Sequence, residues 1–148
     1  MTKHIPLVET DEEGRMEIVY VPADRKLAIR ITTAGEVSEL DLSMDSLTVL
    51  QNGVGGWVEA VDLARDMTLW CNEEGKMNGL PHNPFAQFMW DRVFGAHTDY
   101  IVGDIVLTGG VDDEGYTMGL TDEQAGIIRN IVAEVRGFVE PGFKVTAG

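Results

Sequence analysis

Apolar and polar residues alternate along 15–21 (RMEIVYV) and 26–31 (KLAIRI), the two-residue period of half-buried strands. Between them Pro22-Ala23-Asp24-Arg25 supplies turn chemistry, with proline preset for the first corner, so the pattern predicts a hairpin. Residues 36–42 (EVSELDL) place Val37, Leu40 and Leu42 imperfectly on one face, as a short edge strand or an extended linker would. The period then changes. Met44, Leu47, Val49, Leu50 and Val54 recur at helical spacing behind Ser43, which reads as the N-cap, and Gly53, Gly55 and Gly56 stop the helix. Strand period returns in 57–63 and 67–71 around Ala64-Arg65-Asp66, predicting a second hairpin, and consecutive turns follow through 72–81. Asn83-Pro84 opens a helix carrying Phe85, Phe88, Met89 and Phe94 on its apolar face and ending at Gly95. Residues 100–107 are rich in β-branched side chains and read as a central strand, and 109–115 as an acidic loop. Thr121-Asp122-Glu123-Gln124 is a capping box for a last helix with Ile127, Ile128, Ile131, Val132 and Val135 at core spacing; from Gly137 the tail reads as poorly ordered.

Local hairpins without a regular βαβ alternation point to an α+β fold, a mainly antiparallel sheet with two or three helices packed on it. At 148 residues the chain fits one domain, its folded core expected over 15–136. One cysteine closes no internal disulfide, the N-terminus has no apolar signal core, and no apolar run approaches the ~20 residues that span a bilayer. These features place the protein in a reducing cytoplasm, away from membranes. A net charge of −14, from 25 acids against 11 bases, repels phosphate backbones and disfavours nucleic acid as a partner. The acids cluster at 9–13, 36–45 and 112–114 instead of forming one stripe, which suits solvated loops better than a DNA-mimicking surface.

Glu59 is the only charge between Val54 and Val61, and strand alternation puts it on one face with Trp57 and Val61. A carboxylate there either reaches water or a structural arginine from a twisted or edge strand, or it lines a pocket that receives a hydroxyl, an amine or a partner's cation. Asn72, Glu73, Glu74, Asn78, His82 and Asn83 lie on the loop beside it and can surround such a pocket, although each also fits a turn or capping role. GVGG at 53–56 follows a helix and precedes a strand, the reverse of a phosphate loop, so a tight turn explains it better. In the acidic loop, Tyr116 and Thr117 stand at the fifth and sixth positions of an EF-type loop, where the sixth should be glycine. Cys71, His82 and His97 carry no nucleophile or zinc signature. No catalytic residue, metal or cofactor is therefore assigned.

The runs VGGWVEAVDL, LWCNEEGKMNGLPHN and IVGDIVLTG resemble a small domain family of unknown function found in actinobacteria and other bacteria and abundantly in their phages. The likeness spans about 47–109, on Gly55, Gly56, Glu59, Asn72, Glu73, Gly75, Gly79, Leu80, Pro81, Asn83, Gly103 and Asp104. It implies a phage or mobile-element product in a bacterial cytoplasm, and adds Asp104 to the candidate site. Two functions stay open: a non-enzymatic binding protein that occupies a host protein or captures a small signalling molecule, and a small enzyme built around Glu59. The missing catalytic signatures favour the first, with a host protein as the leading partner. Oligomeric state is not legible.

Overall fold

The computed structural model describes residues 4–10, 12–22 and 26–139. Five antiparallel strands form the central sheet in the order β4-β3-β7-β6-β5: β3 (Leu27–Ile31), β4 (Val37–Asp41), β5 (Val58–Ala64), β6 (Met67–Asn72) and β7 (Ile105–Thr108). Alternation along each strand sends side chains to two different cores. Leu27, Ile29 and Ile31 of β3, Leu69 of β6 and Ile105 and Leu107 of β7 pack against α2 (Pro84–Phe94) and α3 (Asp122–Val139). Ala28 of β3 and Val106 of β7 form a smaller core on the opposite face, where Leu50 and Val54 of α1 (Ser46–Val54) cover them. The protein is thus α+β, with helices on both faces of one antiparallel sheet.

Each helix owes its start to a side chain that satisfies free backbone N–H groups. Asn83 caps α2 by accepting from the Phe85 and Ala86 N–H groups, with Pro84 in the first turn. Thr121 and Gln124 form the reciprocal box that opens α3. For α1 the cap is Asp45, whose carboxylate accepts from Thr48 N–H and Oγ1; Ser43 instead donates its N–H to Asp41. The cap and the helix start fall two residues later than Ser43 predicts, because it is the Asp45 carboxylate that reaches a first-turn N–H, that of Thr48. Gly53 lies inside α1, and a Cβ there would sit 2.6 Å from Val106 Cγ2, so its bareness lets the helix close onto β7.

The N-terminal hairpin forms differently from its prediction. β2 (Met16–Pro22) pairs with β1 (His4–Thr10), a segment whose sequence shows no element, in a separate two-stranded ribbon, Thr10 opposite Met16 and His4 opposite Pro22. β3 is flanked on both sides by β4 and β7, which leaves β2 no edge of it to join. The expected 22–25 turn falls largely on residues 23–25, outside the described residues. Residues 36–42 do form an edge strand, and the second hairpin is β5–β6, with a register shift between Asp62 and Ala64. The central strand is shorter than the 100–107 pattern suggests. Gly103 at φ +77° bends the chain, so only Val102 bridges to His82 before β7 begins. α3 buries Ala125, Ile128, Val132 and Val135, whereas Ile127 faces solvent at 50% exposure. It runs to Val139, beyond the Gly137 limit, and 140–148 lie outside the described residues.

Candidate functional site

The β5–β6 hairpin sorts the predicted site residues onto two faces. Glu59 pairs with Cys71 and Val61 with Leu69, and these side chains share the face covered by α2 and α3; Val58 and Trp70 pack toward α1. Asn72, one residue beyond Cys71, lines the Glu59 cleft at the hairpin end and also reaches the α1 face, where its Nδ2 donates to the Val54 carbonyl and its Oδ1 accepts from Glu74 N–H. It closes the C-terminal end of α1 together with Arg30, whose Nε donates to the Gly53 carbonyl at 2.8 Å. Asp104 balances that guanidinium at 2.6 Å and accepts from Thr33 N–H. Gly56 packs against Asn72, so the VGG turn and the hairpin do meet, through Asn72 and not through Glu59.

Glu59 itself lies at the rim of a cleft of about 100 Å³, formed where the Glu59–Cys71 end of the hairpin meets α2 and residues 99–102. Being on the outermost strand, it is exposed, and among the described residues its carboxylate makes no hydrogen bond or ion pair. The same holds for Glu73, the other carboxylate predicted here that lines the cleft. Trp57 is not a wall of it. The strand starts at Val58, so the alternation that joins Trp57 to Glu59 in the sequence does not extend back to it, and Trp57 borders a shallow hollow with Gln51, Asn52, Gly55 and Gly56.

Four polar or aromatic residues of the lining are not among the predicted site residues: Lys76, Trp90, Asp99 and Tyr100. Lys76 Nζ forms an ion pair with Asp99 and stands 4.3 Å from the centre of the Tyr100 ring. Asp99 Oδ1 also accepts from Tyr100 N–H at 2.8 Å, which fixes the ring beside the carboxylate. The hydrogen bond from Lys76 holds the Asp99 carboxyl below its usual range, and the same bond raises the Lys76 ammonium. Trp90 is held by its indole N–H, which donates to Thr98 Oγ1 at 2.8 Å, and stacks tilted on Phe94. The only sequence signal for this group is adjacency: Asp99 immediately precedes the 100–107 run that Tyr100 opens, and Lys76 is the one base in the turn region 72–81.

At the cleft floor, burial pushes the Cys71 thiol up to about 11, with the negative charge of Glu59 adding to it. Its Sγ lies 3.8 Å from the Glu59 carbonyl. At neutral pH it is a protonated thiol, a poor nucleophile. The remaining candidates are elsewhere. Asn83 is fully buried, its Nδ2 donating to the Ile31 and Gly103 carbonyls. His82 bonds Gln87 in a broad, open hollow with His97 and Tyr100. Glu74 and Asn78 are exposed turn residues joined by the Asn78 N–H to Glu74 carbonyl bond. In the acidic loop Asp112 Oδ1 accepts from the Glu114 and Tyr116 N–H groups, the arrangement of a turn.

Over residues 16–133 the sequence matches DUF3846, a domain of unknown function. The chain belongs to the DUF3846 family. No curated protein and no solved structure matches it. The DUF3846 match is wider than the 47–109 span of the sequence resemblance: it takes in β2, β3 and most of α3, so the ends of the sheet and its covering helix belong to the domain. β1 lies N-terminal to the match. Every residue of the Glu59 cleft falls inside the DUF3846 domain. No helix among the described residues is long and apolar enough to cross a membrane.

Proposed function

We propose that this DUF3846 protein works by binding another protein, receiving one basic side chain of that partner at the Glu59 cleft, without catalysing a reaction. The observation that carries the reading is the cleft's size and chemistry together. About 100 Å³ is well below the ~300–1,000 Å³ of pockets that enclose a metabolite or nucleotide. Glu59 and Glu73 line it without a hydrogen bond or ion pair of their own, Glu59 acting on Lys76 only at longer range, so three carboxylates with Asp99 face the single ammonium of Lys76. A lysine or arginine side chain suits such a place: charge pairs with the rim, and the aliphatic stem covers Val61 and Trp90. Capture of a small signalling molecule, or catalysis centred on Glu59, is less well supported, because the cleft is small and its thiol is protonated.

The motif resemblance supports a phage or mobile-element product acting in a bacterial cytoplasm, which makes a host protein the target. The net charge of −14 then assists encounter with a basic surface. The test is capture from bacterial lysate with the wild-type protein and with Glu59→Gln. The expected result is a protein retained by the wild type, released as salt rises from about 50 to about 300 mM, and retained less by the variant. Charge reversal at Asp112, Asp113 and Glu114 should slow association without changing what is bound. A metabolite or nucleotide co-purifying in stoichiometric amount, and lost with Glu59→Gln, would overturn the protein-binding reading.

A further inference from the structure

β5 is an outer strand, paired with β6 on one edge and without a strand neighbour on the other among the described residues. From Val58 to Asp62 its register with β6 is unbroken, and the shift comes only between Asp62 and Ala64. Glu59, Ala60 and Asp62 are exposed. Such an edge displays a row of unpaired N–H and C=O groups and is a template for another strand. The opposite edge strand, β4, also lacks a second strand neighbour among the described residues, but its Glu39 carboxylate is already held at 2.5 Å by Arg129 of α3 and so is not open to a partner's cation. Two anchoring places flank the open edge of β5, one on each face of the sheet. Toward α2 lies the Glu59 cleft; toward α1 lies the hollow of Gln51, Asn52, Gly55 and Gly56 beside Trp57, an indole 65% exposed at the head of the strand.

We infer that the partner contributes an extended, basic segment that adds to β5 along 58–61, one side chain entering the cleft beside Glu59 and a neighbouring one resting on Trp57. This rests on the cleft reading above and gives it a geometry. Successive side chains of an added strand point to opposite faces, which is what two anchors on opposite faces require. Backbone hydrogen bonds supply affinity without regard to sequence, and the anchors supply choice. The occupant is a basic segment of another protein and not a second copy of this chain, because a copy would bring a second β5, whose only charges are Glu59 and Asp62, to an edge of the same sign in a molecule of charge −14.

The test uses a capped heptapeptide of alternating arginine and valine as probe, titrated into the full-length protein, with amide hydrogen exchange read residue by residue. The amides of β5 on its open edge should exchange about tenfold more slowly at saturation, and Glu59→Gln should weaken binding about tenfold. Binding that depends on Glu59 but leaves β5 exchange unchanged would overturn strand addition while sparing the cleft. Protection of β5 that is indifferent to Glu59→Gln would instead remove the basic side chain from the cleft. Protection appearing on β4, or no binding at all, overturns the inference.

Discussion

The side chain of Asn83 makes four hydrogen bonds while fully buried: Oδ1 accepts from the Phe85 and Ala86 N–H groups, and Nδ2 donates to the Ile31 and Gly103 carbonyls. Aspartate is as good an N-cap as asparagine on an open helix. Here Asn83→Asp keeps the two acceptors but turns a carboxylate toward two carbonyls, and it should cost about 3 kcal/mol or more, measured by urea denaturation. Half of this role is legible in the sequence. Asn-Pro before an aromatic run announces the cap, whereas the donor half rests on carbonyls 52 and 20 residues away. The same distinction explains the cleft. Glu59 stands out as a lone charge in an apolar run, but Lys76 and Asp99 meet across 23 residues that no local pattern connects. Cys71 gives the second prediction at this scale. With its thiol raised from 9.0 to about 11, alkylation by iodoacetamide at pH 8 should run roughly 100-fold slower in the folded than in the denatured protein. The unfolded chain ionises this thiol above pH 9.0 while the fold still holds the proton. The stability the group contributes is therefore full below pH 9.0 and is lost as pH rises through about 11, and Cys71→Ala should flatten that loss.

Helix α3 shows what periodicity leaves undecided at the scale of an element. Ile127 and Ile128 both reach Ile131 at three or four residues, so a list of apolar positions at helical spacing admits both, although only Ile128 also has Ala125 and Val132 as helical neighbours. The stripe that meets the sheet runs through Ala125, Ile128, Val132 and Val135, with Ile128 1% and Ile127 50% exposed. Ile128→Ala should cost about 2–5 kcal/mol, as buried large-to-small changes do, and Ile127→Ala no more than about 0.5 kcal/mol. Equal midpoints in thermal melts of the two variants would show that α3 does not seat on the sheet as described. Hairpin β5–β6 was legible because its strands, turn and register are all within fifteen residues. The ribbon was not: β2 alternates equally well whichever strand it joins, and the choice is made by β7, which arrives much later to fill the edge of β3.

For the molecule as a whole, 25 acids against 11 bases mean that folding gathers like charge. Salt should therefore stabilise the fold, with a melting temperature higher at about 0.5 M than at about 10 mM sodium chloride, because screening relieves the repulsion. A falling melting temperature would instead give ion pairs such as Arg30–Asp104 and Arg129–Glu39 more weight than their partly exposed settings support. The position of β7 has a consequence in time. β3–β4 and β5–β6 are each local hairpins, closed by short stretches of chain, and four-residue β7 alone joins them, with Ile31 opposite Ile105 and Trp70 opposite Val106. Each hairpin can zip within microseconds of collapse, yet neither has a sheet to belong to until this strand is threaded between them. The folding barrier accordingly belongs to loop closure over that long separation. On a ribosome, the first two-thirds of the chain would emerge as two half-sheets with facing open edges, waiting for the residues that make them one.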